Sequence, residues 1–200
     1  MPPNAGTVML LAPGPRPCTT LLLVPELIVI VGPIASGKST IAYELGSRFR
    51  AADRSVAVLD LDDVVDTIGG FVGLTPARFR QAQLVYGELI AAWLRRRFDV
   101  IAHGPFFDHE EDEALLHAVP TEVTPRRVQL LATYEVALER TALDSARALS
   151  KDPKLLRLTY DRVASLRPTM PRSEWTFDTT TRSPQEIVDT VAAALLPERP

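Results

Sequence analysis

Apolar residues occur along the chain in two alternating rhythms. Short runs of strand-forming residues appear at Leu27–Val31, Ser55–Asp60 (SVAVLD), Phe98–His103 (FDVIAH), Arg126–Ala132 (RRVQLLA) and Trp175–Asp178. Between them the apolar positions recur at helical spacing. Thr40–Phe49 places Ile41, Leu45 and Phe49 on one face, and Asp62–Ile68 reads as a short helix closed by Gly69-Gly70. Thr75-Pro76 supplies an N-cap and a first-turn proline for a long helix reaching Arg97. Its predicted apolar set is Phe79, Ala82, Val85, Tyr86, Leu89 and Trp93. Further helices are predicted over Asp108–Ala118, over Glu135–Leu149, and from Asp152-Pro153 to Leu166. Ser183-Pro184-Gln185-Glu186 is a capping box that opens a last helix ending at Leu196.

Short strands alternating with helices predict βαβ units. The expectation is an α/β fold with a five-stranded parallel sheet covered by helices on both faces. No internal repeat and no second boundary is visible, so residues 25–200 read as a single domain. In such a sheet, ligands bind at the carboxyl ends of the strands. That rule directs attention to Gly32–Thr40, Asp60–Asp63, His103–Asp108 and the segment after Ala132.

The first strand runs straight into Gly32-Pro33-Ile34-Ala35-Ser36-Gly37-Lys38-Ser39, with Thr40 next. This is the Walker A pattern, G-x-x-x-x-G-K-[ST], in the strand–loop–helix context that it needs. Gly32 and Gly37 permit the tight turn that aims successive N–H groups at phosphate oxygens. The helix behind the loop adds the positive end of its dipole. Lys38 is then expected to bridge the β- and γ-phosphates and Ser39 to hold the metal, which makes ATP and Mg2+ the expected cofactors.

The second strand ends in Asp60-Leu61-Asp62-Asp63. If extended geometry persists, Asp60 and Asp62 share one side of the strand. One carboxylate then serves Mg2+ through its water shell, and the other accepts a proton from an attacking hydroxyl. The competing reading makes Asp62 or Asp63 an N-cap of the short helix. The third strand ends in His103 rather than in an acid, which disfavours a motor or transport ATPase, and no N-K-x-D element supports a GTPase switch. His103 is either a contact for phosphate or substrate, or a histidine satisfied locally beside a turn.

Composition changes this picture in three places. The net charge of −3 argues against a nucleic-acid partner, although 19 of the 22 basic residues are arginine, a residue suited to phosphate. Cys18 is the lone cysteine, so neither an internal disulfide nor a cysteine-based metal cluster is expected. Residues 1–24 have the composition of a disordered tail, with five prolines and two glycines in Met1–Pro17. The apolar run Leu21–Val31 is interrupted by Glu26, lacks the flanks of a signal peptide and is too short to cross a bilayer. No membrane association and a cytoplasmic location are therefore expected.

With the Walker A loop and Asp60-Leu61-Asp62 in place, the chain resembles the P-loop small-molecule kinases. Adenylyl-sulfate kinase, gluconate kinase, shikimate kinase and chloramphenicol phosphotransferase belong to that group. The resemblance implies a P-loop NTPase fold with a helical lid, here around residues 140–155. It implies that Asp62 contacts the acceptor hydroxyl and that Asp60 assists the metal. It also implies lid arginines that close over the triphosphate. Arg140 and Arg147, seven residues apart on one helix face, match that pattern, with Arg147 preferred for stabilising charge on the transferring group. Arg140 has an alternative partner in Asp144. Phe177-Asp178-Thr179-Thr180 matches a short segment that such kinases place beside the adenine, or else is a surface turn.

The acceptor pocket is expected between the acidic pair, Gly69–Arg80 and Gly104–Asp108, with Phe106 and Phe107 as the better wall candidates. The function expected is transfer of the ATP γ-phosphate to a hydroxyl of a small molecule. Asp62, Lys38 and Arg147 would be catalytic, and Ser39 and Asp60 would hold the metal. A nucleoside, nucleotide, sugar-nucleotide or nucleic-acid-end kinase remains an alternative, as does a regulator that binds nucleotide without transferring phosphate. The acceptor and the oligomeric state are left open. A reporter fused to residues 1–30 is expected to stay inside the cell, and its appearance outside would overturn the reading of that segment.

Overall fold

The structure, a computed structural model, describes residues 24–143 and 152–196. All of the expected tail except Val24, the centre of the expected lid, and Arg147 lie outside the described residues. Chain order is β1 (Leu27–Val31), α1 (Lys38–Ala51), β2 (Val56–Asp60), α2 (Leu61–Thr67), α3 (Pro76–Arg95), β3 (Asp99–Gly104) and α4 (His109–Leu116). There follow β4 (Pro125–Leu131), α5 (Tyr134–Leu143), α6 (Pro153–Leu166), β5 (Trp175–Asp178) and α7 (Pro184–Leu195). The five strands form one parallel sheet in the order β2-β3-β1-β4-β5. β1 is central and all five of its residues are buried, which is why it reads as an unbroken apolar run.

The pleat divides that run between two cores. Leu27, Val29 and Val31 pack with Leu61, Tyr86, Ile90 and Leu115 from α2, α3 and α4. Ile28 and Ile30 face Ile41, Leu45, Phe49, Ile187 and Val191 from α1 and α7. The sheet is thus covered on both faces, as the element pattern predicts. Among the described residues, no helix is long and apolar enough to cross a membrane.

α3 lies in a different rotational phase from the one its large apolar residues suggest. Ala82, Gln83, Tyr86, Gly87, Ile90, Ala91 and Leu94 are buried, whereas Val85, Leu89 and Trp93 are substantially exposed. The cause is the close approach of α4. A Cβ added at Gly87 would lie 2.6 Å from the Ala114 carbonyl oxygen and 2.8 Å from that of Leu115. Small residues therefore face the neighbouring helix, and the larger ones are left outside. Ile90→Ala is expected to cost about 2–5 kcal/mol in urea unfolding, while Val85→Ala should stay within about 0.5 kcal/mol. Equal losses at both positions would contradict this phase.

Candidate active site

The chain order places the site. From β1 the chain crosses to β2, returns to β3 beside β1, and then moves to β4 on the other side of β1. The carboxyl end of β1 is therefore the point where the winding changes direction. The loop leaving β1 must pack tightly there. A Cβ on Gly32 would meet Ser36 Oγ at 2.5 Å and the Leu130 carbonyl oxygen at 2.8 Å, so only glycine fits. Gly37, at φ 89°, turns the chain in the left-handed region into α1. No side chain caps α1 and no acid occupies its first turn, so its positive end faces the loop. The Lys38 ammonium donates to the Gly32 and Pro33 carbonyls at 2.9 and 2.8 Å. Ser36 is fully buried, and its hydroxyl has no hydrogen-bond partner among the described residues.

Two side chains brace this loop from outside. Arg140 donates to the Ala35 carbonyl at 3.0 Å and to the Thr179 hydroxyl and carbonyl at 3.1 and 2.6 Å. It ties the loop, through one backbone oxygen, to the turn after β5. Asp144, its alternative partner from sequence, lies outside the described residues. From α6, the Tyr160 hydroxyl donates to the Ile34 carbonyl at 3.1 Å. Burial pushes its pKa up to about 12 against the opposing effect of Arg140, so it remains a neutral donor. In the Asp178–Thr180 turn, the Asp178 carboxylate accepts from Thr180 N–H at 2.8 Å.

The acidic end of β2 differs from the extended pair that alternation predicts. Asp60 is the N-cap of α2, its Oδ1 accepting from Asp62 N–H at 3.0 Å. The strand stops there because this cap turns the chain into a helix, so Asp62 stands in the first helical turn rather than two residues along a strand. The cap is Asp60, not Asp62 or Asp63. Strand register sets Asp60, His103 and Ile30 on one line across the sheet. With strands spaced about 4.8 Å apart, Asp60 is about 10 Å from β1 across the sheet. His103 is 1% exposed, and its Nδ1 is 3.5 Å from Asp60 Oδ1.

The predicted pocket walls are rearranged. Phe106 and Phe107 are each 1% exposed. Phe106 stacks on Tyr86 at 5.8 Å between centroids, and Phe107 lies beneath the Arg162 guanidinium at 5.9 Å. They belong to the core, and the Phe106 ring packs so closely on the end of β3 that a Cβ added at Gly104 would lie 2.7 Å from it. Phe71 and Phe79, 6.3 Å apart, retain exposure at the α2–α3 side. A groove of about 330 Å³ opens beside Asp60 and Asp63, walled by Val58, Leu59, Val64, Val85 and Leu89. Arg162, on α6, donates to Asp108 at 3.0 Å and to Glu111 at 2.7 Å. Those two carboxylates form the capping box of α4, so α6 is pinned both to the phosphate loop and to the segment after β3.

Tyr160 and Arg162 carry much of this architecture and are not among the candidates the sequence offers, while Tyr86, an apolar wall candidate by sequence, instead places its hydroxyl between β2 and β3. The signal open to a reader was chemical rather than positional: a buried tyrosine hydroxyl needs a partner. For the metal, a hydroxyl at Ser39 and a carboxylate at Asp60 are hard oxygen donors of the kind Mg2+ accepts. Among the described residues, no cluster of three or more His, Cys, Asp or Glu forms an all-protein cage. That set fits an ion which keeps water and phosphate oxygens as its other ligands.

A family model described as an AAA domain matches residues 27–154. Among solved structures, the fold is similar to an unliganded sugar kinase from Janibacter sp. HTCC2649, at TM-score 0.63 and 17% identity over 84% of this chain and 93% of that one. It is also similar to a gluconokinase from Sinorhizobium meliloti 1021, at TM-score 0.59 and 19% identity over 86% and 92% of the two chains. A third similar structure is a shikimate kinase from Acinetobacter baumannii in complex with shikimate, at TM-score 0.59 and 21% identity over 86% and 93%. No curated protein matches significantly. Lys38→Ala is expected to weaken MgATP binding by at least about 30-fold in calorimetric titration, as loss of a buried charge partner does. Unchanged binding would refute the loop as the phosphate site.

Proposed function

The chain belongs to the AAA-domain family matched over residues 27–154, and on that premise we propose that it is an ATP- and Mg2+-dependent kinase acting on a hydroxyl of a small molecule. One observation carries the reading. Two strands across the sheet from a glycine-turned loop with the Walker A residues, the chain sets a half-buried carboxylate, Asp62, in the first turn of α2, directly after the Asp60 cap at the carboxyl end of β2. A protein that merely sensed nucleotide has no use for that second carboxylate.

The Gly32–Thr40 backbone binds and orients the triphosphate, and Lys38 leaves its two loop carbonyls to meet the β- and γ-phosphate oxygens. Mg2+, when bound, neutralises charge on those oxygens; Ser39 and Asp60 are the residues that would hold it. Asp62 orients the acceptor hydroxyl and takes its proton as the hydroxyl oxygen bonds to the γ-phosphorus. The bond from that phosphorus to the β–γ bridging oxygen breaks on the opposite side, and ADP leaves with the electron pair. Arg140 keeps the cradle rigid through the Ala35 carbonyl and approaches the nucleotide from the Thr179 side. Arg147 supplies positive charge to the transferring group. The acceptor lies between Asp62, the groove beside Asp63, and the Phe71–Phe79 pair.

Asp62→Asn is expected to lower phosphoryl transfer by at least about 100-fold, the usual share of a general base, while ATP affinity stays within about twofold. Transfer can be followed as acceptor-stimulated ADP release across a panel of sugars, nucleosides and hydroxylated antibiotics. Full activity in this variant would remove Asp62 from the mechanism.

A further inference from the structure

The β2 and β3 ends are joined by a side chain from α3. The Tyr86 hydroxyl donates to the Leu59 carbonyl at 2.7 Å and accepts from His103 N–H at 3.0 Å. Leu59 pairs with Ala102 and the next residue, Asp60, with His103, so this hydroxyl bridges the two strands across the last pairs of their ladder. The Tyr86 ring is fully buried and stacked on Phe106, which fixes its direction. Burial first, and then the charge of Asp60, hold its hydroxyl well above the ordinary phenol range, so it is a permanent donor. Within the last pair, His103 Nδ1 stands 3.5 Å from Asp60 Oδ1. The same Oδ1 accepts the N–H of Asp62.

We propose that His103 is a positioning residue for Asp60, set in place by Tyr86, and that it fixes the carboxylate from which Asp62 is suspended. The proposal deepens the kinase reading above and rests on it for its consequence. Asp60 is the shared partner of His103 and of the Asp62 backbone, so rotation of its carboxylate displaces both the metal-holding oxygen and the first turn of α2. Burial of His103 makes this a matter of geometry rather than of solvent-exposed charge. The relevant atom is Nδ1. Asparagine places an amide nitrogen close to that position, whereas glutamine places one nearer Nε2.

The test compares His103→Leu, His103→Asn and His103→Gln by amide hydrogen exchange of the ligand-free protein, reading the Asp62 N–H. His103→Leu is expected to speed exchange there about tenfold, and His103→Asn to restore protection. His103→Leu is also expected to reduce the gain in ADP affinity that Mg2+ confers, leaving metal-free ADP binding unchanged. Unaltered Asp62 exchange in His103→Leu overturns the proposal, and so does restoration by glutamine but not by asparagine. If His103→Leu fails to fold, Tyr86→Phe reads the same linkage while keeping the ring. Faster exchange at both the His103 and Asp62 amides supports it, and a change confined to His103 refutes it. The exchange readout needs no nucleotide, so failure of ATP binding in the unaltered protein would sink the kinase reading and still leave this inference decided.

Discussion

The close passage of the loop after β1 over the end of β4 is the constraint on which the structure depends. There is no space for a side-chain carbon at Gly32, because Ser36 and the Leu130 carbonyl already occupy it. The loop is therefore a surface of backbone amides at the end of a strand, β1, that is buried along its whole length. A cradle of this kind needs rigid support, since its selectivity comes from fixed N–H directions rather than from adjustable side chains. The two cores supply that support by clamping β1 from both faces.

Around the cradle, the remaining elements act as braces with chemically distinct grips. Arg140 and Tyr160 hold loop carbonyls from α5 and α6, and Arg162 carries α6 across to the capping box of α4. α6 thus connects the side where a triphosphate would sit with the side where an acceptor would approach. On the far edge of the sheet, Tyr86 fastens β2 to β3 and so fixes the height of the acidic residues. Phosphoryl transfer depends mainly on positioning, and on the proposed reading these contacts would position the two halves of one site.

Much of this arrangement was legible in the sequence because it is local. The parallel sheet follows from strands and helices in alternation, and the phosphate loop from four residues at fixed spacing. The capping boxes at Asp108 and Ser183 reflect contacts within one helical turn. What escaped was set mostly by contacts between distant segments, with the local Asp60 cap as the exception. The phase of α3 depends on α4, which selected Gly87 and Ala91 for the inside over Val85 and Leu89. The turn at Asp60 depends on a cap that a D-x-D pattern does not distinguish from a continuing strand. Phe106 and Phe107 look like pocket walls by their place after a strand, and only the packing of Phe106 on Tyr86 and of Phe107 beneath Arg162 buries them. The His103–Asp60 contact joins residues far apart in sequence, and no spacing rule reveals it.

The central claim is that the Gly32–Ser39 loop holds a triphosphate facing the acids of β2 and α2. A crystal structure with a non-hydrolysable ATP analogue and Mg2+ tests it most directly. The account predicts phosphates on the loop, Lys38 Nζ moved from the Gly32 and Pro33 carbonyls onto phosphate oxygen, and the terminal phosphate directed toward Asp62. A nucleotide bound elsewhere, or Lys38 still held by those carbonyls beside an occupied loop, would contradict it.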